Sequence, residues 1–326
     1  MKFLIIQTAF IGDVVLATAL VEKLNETHPE SQIDFLLRKG NESLLAGHPH
    51  VRQVLVLDKK QGKYRNLFRM LRRIRGEKYD YVINAQRFFA SGILTAFSGA
   101  KHTIGFNKNP LSFLFSKSVP HNISAADSDA HEVKRNHALI REVTDDQYTR
   151  PRLYPSLADF EKVKADEPYY CIAPASVWFT KQWPAEKWIE LIKKLPPSHK
   201  VFLLGAPGDR TLCEAIMKEC PGHSIDIVAG KLSFLESAAL MKCAVMNFVN
   251  DSAPLHFASA VNAPVSAIYC STVPAFGFGP LSDKSFVFET HHPLDCRPCG
   301  LHGHKACPKG HFRCADISID RVLASL

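Results

Sequence analysis

One aspartate near the start of the chain has the residue type and the position of a catalytic group. Asp13 follows the apolar run Phe3–Ile6 and a short turn, in the sequence I-G-D-V. Its carboxylate could cap the helix that follows. It could also act as a general base, because the positive end of a helix dipole favours the ionised carboxylate that accepts a proton. Both roles agree with the local pattern.

A second stretch, Phe248–Val261, could bind an anion. It reads F-V-N-D-S-A-P-L-H-F-A-S-A-V, and the apolar run that ends at Asn250 predicts a buried strand. The polar cluster from Asn250 to Ser252 caps a predicted helix, in which Pro254 suits the first turn. A helix N-terminus offers free N–H groups and a positive dipole end, which suit a diphosphate. The alternative is an ordinary strand-to-helix junction.

Four cysteines near the C-terminus could bind a metal. They lie in a Cys-rich tail, residues 291–316, with the spacing C-x2-C-x7-C-x6-C: Cys296, Cys299, Cys307 and Cys314. Four thiolates could hold a structural zinc ion tetrahedrally, although the second pair is more widely spaced than in a zinc ribbon or finger. Free thiols in a packed loop and a disulfide are the alternatives.

A basic segment between Lys59 and Lys78 predicts an amphipathic helix. It holds nine basic residues and one acidic residue, Glu77. Its apolar side chains recur at helical spacing and its arginines lie mostly off that stripe. Such a helix can rest on an anionic membrane, receive an anionic substrate, or simply be a solvated surface. The apolar stripe comprises Tyr64, Leu67, Phe68, Leu71 and Ile74, and the arginines are Arg65, Arg69, Arg72, Arg73 and Arg75.

The elements that must position these residues alternate between strands and helices. Short apolar runs separated by helical patterns predict a parallel α/β sheet over residues 1 to about 120 and a second one after a Pro-bearing linker near 150–168. The predicted domains are residues 1–155 and 156–326, with a ligand cleft between them. The G-x-G-x-x-G fingerprint is absent from the first unit, which argues against a dinucleotide cofactor.

Composition narrows the class of protein. The chain has 326 residues, of which 46% are hydrophobic and 22% are charged, as in soluble globular proteins. Forty basic and thirty-two acidic residues give a net charge of +8, which suits an anionic partner. No base-reading module accompanies the charge, so nucleic acid is disfavoured. No apolar run reaches about 18 residues, and we expect a cytoplasmic protein without a transmembrane segment.

Six motifs in order resemble glycosyltransferase family 9, the heptosyltransferases of bacterial lipopolysaccharide core synthesis, and the resemblance covers nearly the whole chain. The last of them, N-D-S-A-P-L-H, belongs to the stretch described above. The resemblance implies the GT-B fold, an α/β architecture of two Rossmann-like domains with parallel sheets facing a central cleft. The six segments are Ile11–Val14, Asn84–Phe106 ending in S-G-A-K-H-T-I-G-F, His131–Asn136, Lys181–Pro184, Gly205–Pro207 and Asn250–His256.

The resemblance also implies a division of labour among residues. Asp13 would deprotonate the acceptor hydroxyl, and Lys181 would neutralise the diphosphate of a nucleotide-sugar donor. Asp209 would contact the nucleotide ribose, and Asp251 with His256 would shape the donor pocket. An inverting transfer needs a base on one face of the sugar carbon and charge stabilisation of the leaving group on the other. Further donor contacts would come from Ser176, Ser252 and Ala253, and acceptor contacts from Arg69, Arg72, Arg73 and Arg135.

The expected partners are a nucleotide sugar, in particular ADP-heptose, and an anionic glycolipid of the lipopolysaccharide-core type. The N-terminal domain would bind the acceptor and the C-terminal domain the donor, with peripheral contact at the cytoplasmic face of the inner membrane. Lysine and a helix N-terminus can stabilise a leaving diphosphate, so no cofactor is required. Two departures from the family pattern affect the donor side: Ala253 replaces a glycine, which predicts a negative φ there, and Cys270–Thr272 replaces G-P-T.

Two alternatives accompany this interpretation. The first is a non-catalytic binding protein on the same fold, with the Cys-rich tail as a docking or metal-dependent element. Asp13 and Lys181, both present at the motif positions, count against it. The second is a transferase for a different sugar or acceptor.

Overall fold

The computed structural model describes residues 1–59, 62–124 and 131–326, and the chain in it forms two compact units. The first contains Met1–Ile123 and the segment that ends at Tyr154, and the second begins at Pro155 and ends at Leu326. Lys60 and Gln61, which belong to the predicted basic helix region, lie outside the described residues.

Unit 1 is built on one six-stranded parallel sheet, as the sequence predicts. Strand order is β3-β2-β1-β4-β5-β6, and each neighbouring pair is parallel. The strands are β1 (Lys2–Ile6), β2 (Gln32–Arg38), β3 (Gln53–Leu57), β4 (Tyr81–Asn84), β5 (His102–Phe106) and β6 (Lys117–Val119). The helices are α1 (Ile11–Thr27), α2 (Lys63–Glu77), α3 (Phe89–Ala96) and α4 (Glu132–His137).

Unit 2 repeats this plan. Its six parallel strands are ordered β12-β11-β10-β7-β8-β9. The strands are β7 (Tyr169–Ala173), β8 (Lys200–Leu203), β9 (Ile225–Ile227), β10 (Met246–Asn250), β11 (Val265–Tyr269) and β12 (Ser285–Glu289). The helices are α5 (Leu157–Lys162), α6 (Ala185–Lys194), α7 (Arg210–Lys218), α8 (Phe234–Cys243), α9 (Ala253–Ala260) and α10 (Ile319–Leu323).

Numbered within its own unit, each sheet has the order 3-2-1-4-5-6 of the doubly wound nucleotide-binding fold. In such sheets the strand order reverses between the first and fourth strands, and ligands bind outside the carboxyl ends of the strands at that switch point. The switch point lies between β1 and β4 in unit 1, and between β7 and β10 in unit 2. The fold therefore marks one candidate binding edge on each unit.

Apolar side chains from both faces of each sheet form the cores. In unit 2, Trp183 and Trp188 are buried with their rings perpendicular and their centroids 5.0 Å apart. The Trp183 indole N–H donates to the carbonyl of Ala315 at 3.1 Å, which ties the end of the chain to the segment before α6. In unit 1, Leu67, Met70 and Ile74 of α2 pack into the core beside β1 to β3.

The predicted linker near 150–168 is not an unstructured connection. It contains α5, which packs against α8. Ser156 caps α5 by accepting from the Asp159 N–H at 3.2 Å, and the Asp159 carboxylate accepts the Ser156 N–H at 2.7 Å. This reciprocal cap explains why a helix begins directly after Pro155. None of the helices in the described ranges is long and apolar enough to cross a bilayer.

Candidate functional site

An ion pair lies at the switch point of unit 2. Lys181, in a short 3-10 turn after β7, places its Nζ 2.6 Å from Oδ2 of Asp251, which directly follows β10. Both side chains are largely buried, with 14% of Lys181 and 7% of Asp251 exposed. The two residues that the sequence selects for phosphate binding and pocket shape are thus in direct contact at the edge where nucleotides bind in this fold.

Two neighbouring side chains hold this pair in place. The hydroxyl of Thr272, after β11, donates to the same Oδ2 of Asp251 at 2.6 Å. Asn250 is fully buried, accepts the Trp183 N–H at 3.0 Å and donates to the Pro174 carbonyl at 2.8 Å. The Lys181 turn is therefore fastened to the ends of β7 and β10 on either side of the switch point.

The N-terminus of α9 lies beside the ion pair. Ser252 is the N-cap residue, Ala253 is the first helical residue and Pro254 follows in the first turn. Ala253 has the negative φ that the sequence predicts, because it is helical. His256 is buried, with its ring edge-on to Phe278 at 6.5 Å between centroids. The predicted strand, turn and helix N-terminus are confirmed.

The other predicted donor residues, Asp209 and Ser176, follow neighbouring strands of the same sheet. Asp209 follows β8, and its carboxylate accepts the Ala206 N–H at 2.7 Å, so it closes its own turn. A Cβ on Gly205 would lie 2.8 Å from Cβ of Asp209, so this turn needs glycine there. Ser176 follows β7, and its carbonyl accepts from the Gln182 amide at 2.6 Å.

The Cys-rich tail packs directly against the Lys181 turn. The Thr180 N–H donates to the His304 carbonyl at 3.1 Å, and the His304 N–H donates to the Thr180 hydroxyl at 2.8 Å. Gly303 has a φ of +75°, and a Cβ there would lie 2.9 Å from Oγ1 of Thr180 and 3.3 Å from Cγ of Lys181. The tail is therefore part of the wall that positions the candidate phosphate-binding lysine.

Arg297 anchors the tail to the end of β11. Its guanidinium donates to the carbonyls of Cys270 at 2.7 Å and Thr272 at 2.6 Å, and it contacts the Glu289 carboxylate at 2.5 Å. With the Tyr269 carbonyl at 3.2 Å, four acceptors surround one planar guanidinium and hold the tail next to Thr272.

The four cysteines of the tail share one cavity of about 330 Å³ with His304 and His311. The Cys299 thiol donates to the Cys296 carbonyl at 3.1 Å, and Cys296 lies 3.9 Å from the His311 ring nitrogen. Burial raises the pKa of Cys314 to about 11. Among the residues that the structure describes, no three His, Cys, Asp or Glu side chains are arranged to hold a metal ion, and zinc at the four cysteines stays a prediction.

Asp13 lies in the first turn of α1 at the carboxyl end of β1. The helix begins at Ile11, two residues earlier than the sequence suggests, so Asp13 is the third helical residue and Phe10 is the N-cap. The Asp13 carboxylate accepts the Phe10 N–H at 3.2 Å. Desolvation by burial, assisted by the negative charge of Glu132, raises the pKa of Asp13 to about 6. The predicted dipole stabilisation is outweighed, yet the carboxylate remains mostly ionised at neutral pH.

A buried ionic cluster stands next to Asp13. Glu132 accepts from Nε of Arg135 at 2.7 Å and lies 3.2 Å from the His121 ring nitrogen. Burial opposes ionisation of Glu132, but His121 and Arg135 hold its pKa below the usual value. Arg135, predicted to face the acceptor, is buried, with 7% of its side chain exposed. Arg135 forms an ion pair with Glu132, and the charge of Glu132 in turn affects the pKa of Asp13.

The arginines of α2 surround a separate cavity. Arg65, Arg69 and Arg73, spaced four residues apart, line a space of about 530 Å³ beside Asn66. Arg69 donates to the Asn66 side chain at 3.3 Å, and Arg73 donates to Gln53 at 2.9 Å. Arg72 is exposed on another part of the helix surface. Arg69 and Arg73 therefore share a cavity with Arg65, which is not among the acceptor-binding residues predicted from the sequence.

Sequence reasoning missed three residues of these sites. Thr272 lies in Cys270–Thr272, which stands out in the sequence only as a departure from the family pattern, and Glu132 lies inside the motif segment His131–Asn136. Arg65 could have been found from its spacing of four residues to Arg69. The contact of Thr272 with Asp251 joins two strand ends 21 residues apart and has no local signal.

Comparison with known proteins gives a consistent family assignment. Residues 67–305 match the family model described as glycosyltransferase family 9 (heptosyltransferase). Lipopolysaccharide heptosyltransferase 3 of Escherichia coli K12 is 26% identical over 311 residues, covering 87% of this chain and 89% of the relative. The matched span of the family model contains Lys181 and Asp251 and begins after Asp13.

Two solved structures show the same fold. That of E. coli ADP-heptose LPS heptosyltransferase II has a TM-score of 0.82 and 21% identity, and covers 100% of this chain and 97% of its own. That of E. coli heptosyltransferase WaaC with ADP-2-deoxy-2-fluoro heptose has a TM-score of 0.72 and 20% identity, and covers 88% of this chain and 92% of its own. The predicted GT-B fold is confirmed.

Proposed function

The chain belongs to glycosyltransferase family 9, and on that basis we propose that it transfers heptose from ADP-heptose to an anionic acceptor of the lipopolysaccharide-core type. The observation that carries the proposal is the Lys181–Asp251 pair beside the N-terminus of α9. A lysine and a set of helix N–H groups at the switch point of a doubly wound sheet suit the diphosphate of a nucleotide sugar.

On the donor side, Lys181 meets the diphosphate before and during the reaction. A diphosphate that binds must compete with Asp251 for the same ammonium group, while Thr272 continues to hold the carboxylate. The N–H groups from Asp251 to Ala253 add positive potential at the leaving group. In this proposal Ser176 also contacts the phosphates, Asp209 contacts the ribose, and His256 shapes the pocket with Asp251.

On the acceptor side, Asp13 takes the proton of the attacking hydroxyl. Its pKa of about 6 leaves it ionised at neutral pH and still basic enough to accept a proton. Attack from the face opposite the leaving diphosphate inverts the sugar carbon. Arg69, Arg72 and Arg73 bind anionic groups of the acceptor, and Arg135 acts through Glu132. We place this reaction at the cytoplasmic face of the inner membrane.

The proposed transfer does not pass through a metal ion, because Lys181 and α9 supply the charge that stabilises the leaving group. Transfer is therefore expected to survive EDTA. Elemental analysis of untagged protein tests the zinc prediction separately: about one zinc per chain would mean that the four tail thiols rearrange around an ion.

Substitution of the two central residues tests the mechanism. Asp13→Asn should lower kcat about 10³-fold and leave ADP affinity unchanged, because only proton transfer is lost. Lys181→Ala should weaken ADP binding and also lower kcat, because its charge acts in the ground state and the transition state. Near-normal turnover by Asp13→Asn would overturn the base assignment.

Thermal-shift measurements test the identity of the donor. ADP and ADP-heptose should raise the melting temperature more than UDP, GDP and their sugars do. A larger shift with another nucleotide sugar would leave the family assignment intact and would replace ADP-heptose as the donor.

A further inference from the structure

A phenylalanine and an arginine lie together beside the proposed catalytic base. Phe10 is the N-cap residue of α1, and the residue is 58% exposed. Its N–H donates to the Asp13 carboxylate at 3.2 Å. The guanidinium of Arg38, the last residue of β2, lies 5.2 Å from the centre of the Phe10 ring. Since β2 is the neighbour of β1, both residues lie at the carboxyl edge of the sheet, where this fold binds ligands.

The loop that carries Phe10 is fastened to the other side of the switch point of unit 1. The Gln7 side chain donates to the Ala85 carbonyl at 3.0 Å, and the Thr8 hydroxyl donates to the Gln86 side chain at 2.7 Å. Both contacts are buried, and both reach the segment that directly follows β4. The exposed ring is therefore presented on a fixed loop, which lowers the entropic cost of binding a ligand against it.

Arg38 carries a charge that no acidic partner neutralises. In the part of the chain that the structure describes, no carboxylate forms an ion pair with its guanidinium. The charge nevertheless reaches Asp13, whose pKa it acts to lower. A guanidinium binds carboxylate and phosphate groups through paired N–H donors, and a cation–π contact with a ring leaves those donors available. Arg38 can therefore receive an anionic group of a ligand that lies next to Asp13.

The proposed reaction determines which ligand lies there. The acceptor hydroxyl must come within hydrogen-bonding distance of the Asp13 carboxylate to lose its proton. The sugar that carries this hydroxyl then lies against the start of α1, where Phe10 is exposed. The C–H face of a sugar is its apolar surface, and a phenyl ring offers a flat apolar partner for it. A sugar with an anionic substituent matches both neighbours of the base.

We propose that Phe10 and Arg38 form an acceptor subsite next to Asp13. The Phe10 ring stacks on the sugar that carries the attacked hydroxyl, and Arg38 binds a carboxylate or phosphate of the same sugar. The inference rests on the proposed function and names two residues that select the acceptor. The arginines of α2 line a separate cavity with Val56 and Asp58, so they meet other groups of the acceptor.

Steady-state kinetics with three related acceptors test the role of Arg38. The probes are a deacylated lipopolysaccharide-core oligosaccharide, the same oligosaccharide with its carboxylates reduced to alcohols, and a dephosphorylated form. Arg38→Gln should raise the KM for the unmodified acceptor at least about tenfold, because a charge-assisted contact is lost. The difference between wild type and variant should disappear on the derivative that lacks the group bound by Arg38. An equal increase in KM on all three acceptors would overturn the anion contact.

The pH profile separates acceptor binding from an effect on the base alone. If Arg38 only stabilised the ionised Asp13, Arg38→Gln would move the rise of kcat to higher pH and leave the acceptor KM unchanged, which would overturn the subsite. The subsite predicts a raised KM even at about pH 8, where Asp13 is ionised in both proteins. Lys200→Gln is the matched control, because its ammonium also lies 5.2 Å from the centre of a phenyl ring, that of Phe202, but at the start of β8 in unit 2. Its kinetic constants should equal those of the wild type.

Two substitutions of Phe10 test the stacking contact. Phe10→Ala should raise the acceptor KM about tenfold, because the apolar contact with the sugar is lost. Phe10→Tyr keeps the ring and should stay within about twofold of the wild type. Both variants should melt at the wild-type temperature, because the side chain is exposed and the bond to Asp13 comes from the backbone. A folded Phe10→Ala variant with the wild-type KM would overturn the stacking contact.

Acceptor binding in the absence of donor separates this proposal from the proposed function. Isothermal titration should show that the unmodified oligosaccharide binds the wild type more tightly than it binds Arg38→Gln. Wild-type protein that binds the oligosaccharide in this way but transfers no heptose to it would overturn the proposed function and leave the subsite standing. Wild-type transfer with an acceptor KM that neither Arg38→Gln nor Phe10→Ala changes would overturn the subsite and leave the proposed function standing.

Discussion

As the proposed general base, Asp13 must meet two requirements that oppose each other. It must be ionised to accept a proton, and it must be basic enough to hold one. Burial and the charge of Glu132 raise its pKa to about 6, while backbone N–H groups at the start of α1 and the charge of Arg38 act in the other direction. The balance places its titration just below neutral pH, where both requirements are met.

The pH dependence of kcat/KM should show this titration. Because the ionised form is the active one, the rate is expected to rise with pH through about 6 and then reach a plateau. Glu132→Gln removes a neighbouring negative charge and should move this rise to lower pH by about half a unit to one unit. The pH profile of transfer at saturating donor is the measurement.

Glu142→Gln provides the control for this experiment. Glu142 is more than half exposed and pairs with Lys117, so its loss should leave the profile in place. If the rise stays near pH 6 in Glu132→Gln while the protein remains folded, Glu132 has no influence on the catalytic base.

Elements bounded by sharp changes of polarity were predictable from sequence. The apolar runs of β4 and β7 end at Asn84 and before Pro174, which is the pattern that predicts strands of the two sheets. In β5 the run is broken by Thr103 and Gly105, so it was seen only as part of a motif. The face of α2 was only partly predictable, since Tyr64 and Leu67 share a stripe whose contact with the sheet depends on how the helix is rotated.

The Cys-rich tail shows the limit of motif reasoning. Its spacing directs attention to a metal, whereas its structural contribution comes from backbone groups near Gly303 that bond to Thr180. Backbone hydrogen bonds between distant segments leave no mark on residue spacing. The contact of this tail with the Lys181 turn could therefore not be predicted from the sequence.

Gly303→Ala tests whether the tail positions Lys181. The added Cβ would meet Thr180 and the Lys181 side chain, and the φ of +75° would add strain. If Lys181 binds the phosphates as proposed, ADP affinity should fall about tenfold, because the added Cβ displaces its ammonium group. Isothermal titration with ADP measures the effect.

Gly310→Ala is the matched control within the tail. Gly310 has nearly the same φ, +74°, but a Cβ there would meet nothing within 4 Å. Gly310→Ala introduces the same backbone strain but no steric contact. It should therefore lower the stability of the protein and leave its ADP affinity unchanged. Equal losses of affinity in the two variants would show that strain alone accounts for the effect.

At the scale of the whole chain, the two sheets have the same strand order and separate hydrophobic cores. Each also has its own polar anchor, a buried polar side chain whose hydrogen bonds hold neighbouring segments together. In unit 1 the anchor is Asp34, which is fully buried and accepts from Arg52 and Gln53 at 2.8 Å each, and from Tyr79 at 2.5 Å. This network joins β2 and β3 to the start of β4. All of these contacts lie within unit 1, so we expect the loss of the network to destabilise unit 1.

Asp34→Ala should therefore lower the stability of unit 1 by about 1–3 kcal/mol, since it leaves the buried Tyr79 hydroxyl without its acceptor, while Arg52 keeps its ion pair with Glu77. Calorimetry with and without ADP distinguishes the units, because ADP should raise only the transition of the unit that binds it. The ADP-sensitive transition is expected to stay in place in the variant. A single transition that moves as a whole would contradict independent units.

The hydrogen bonds between Thr180 and His304 and between Trp183 and Ala315 also affect when the proposed nucleotide site can form during synthesis. They can form only after His304 and Ala315 have been made. The strands that flank the switch point of unit 2 are translated before the residues that form the wall behind Lys181. A nascent chain halted before His304 would hold all six strands of the second sheet and lack this wall. Under the proposed function, nucleotide binding is therefore acquired only after His304 has been made.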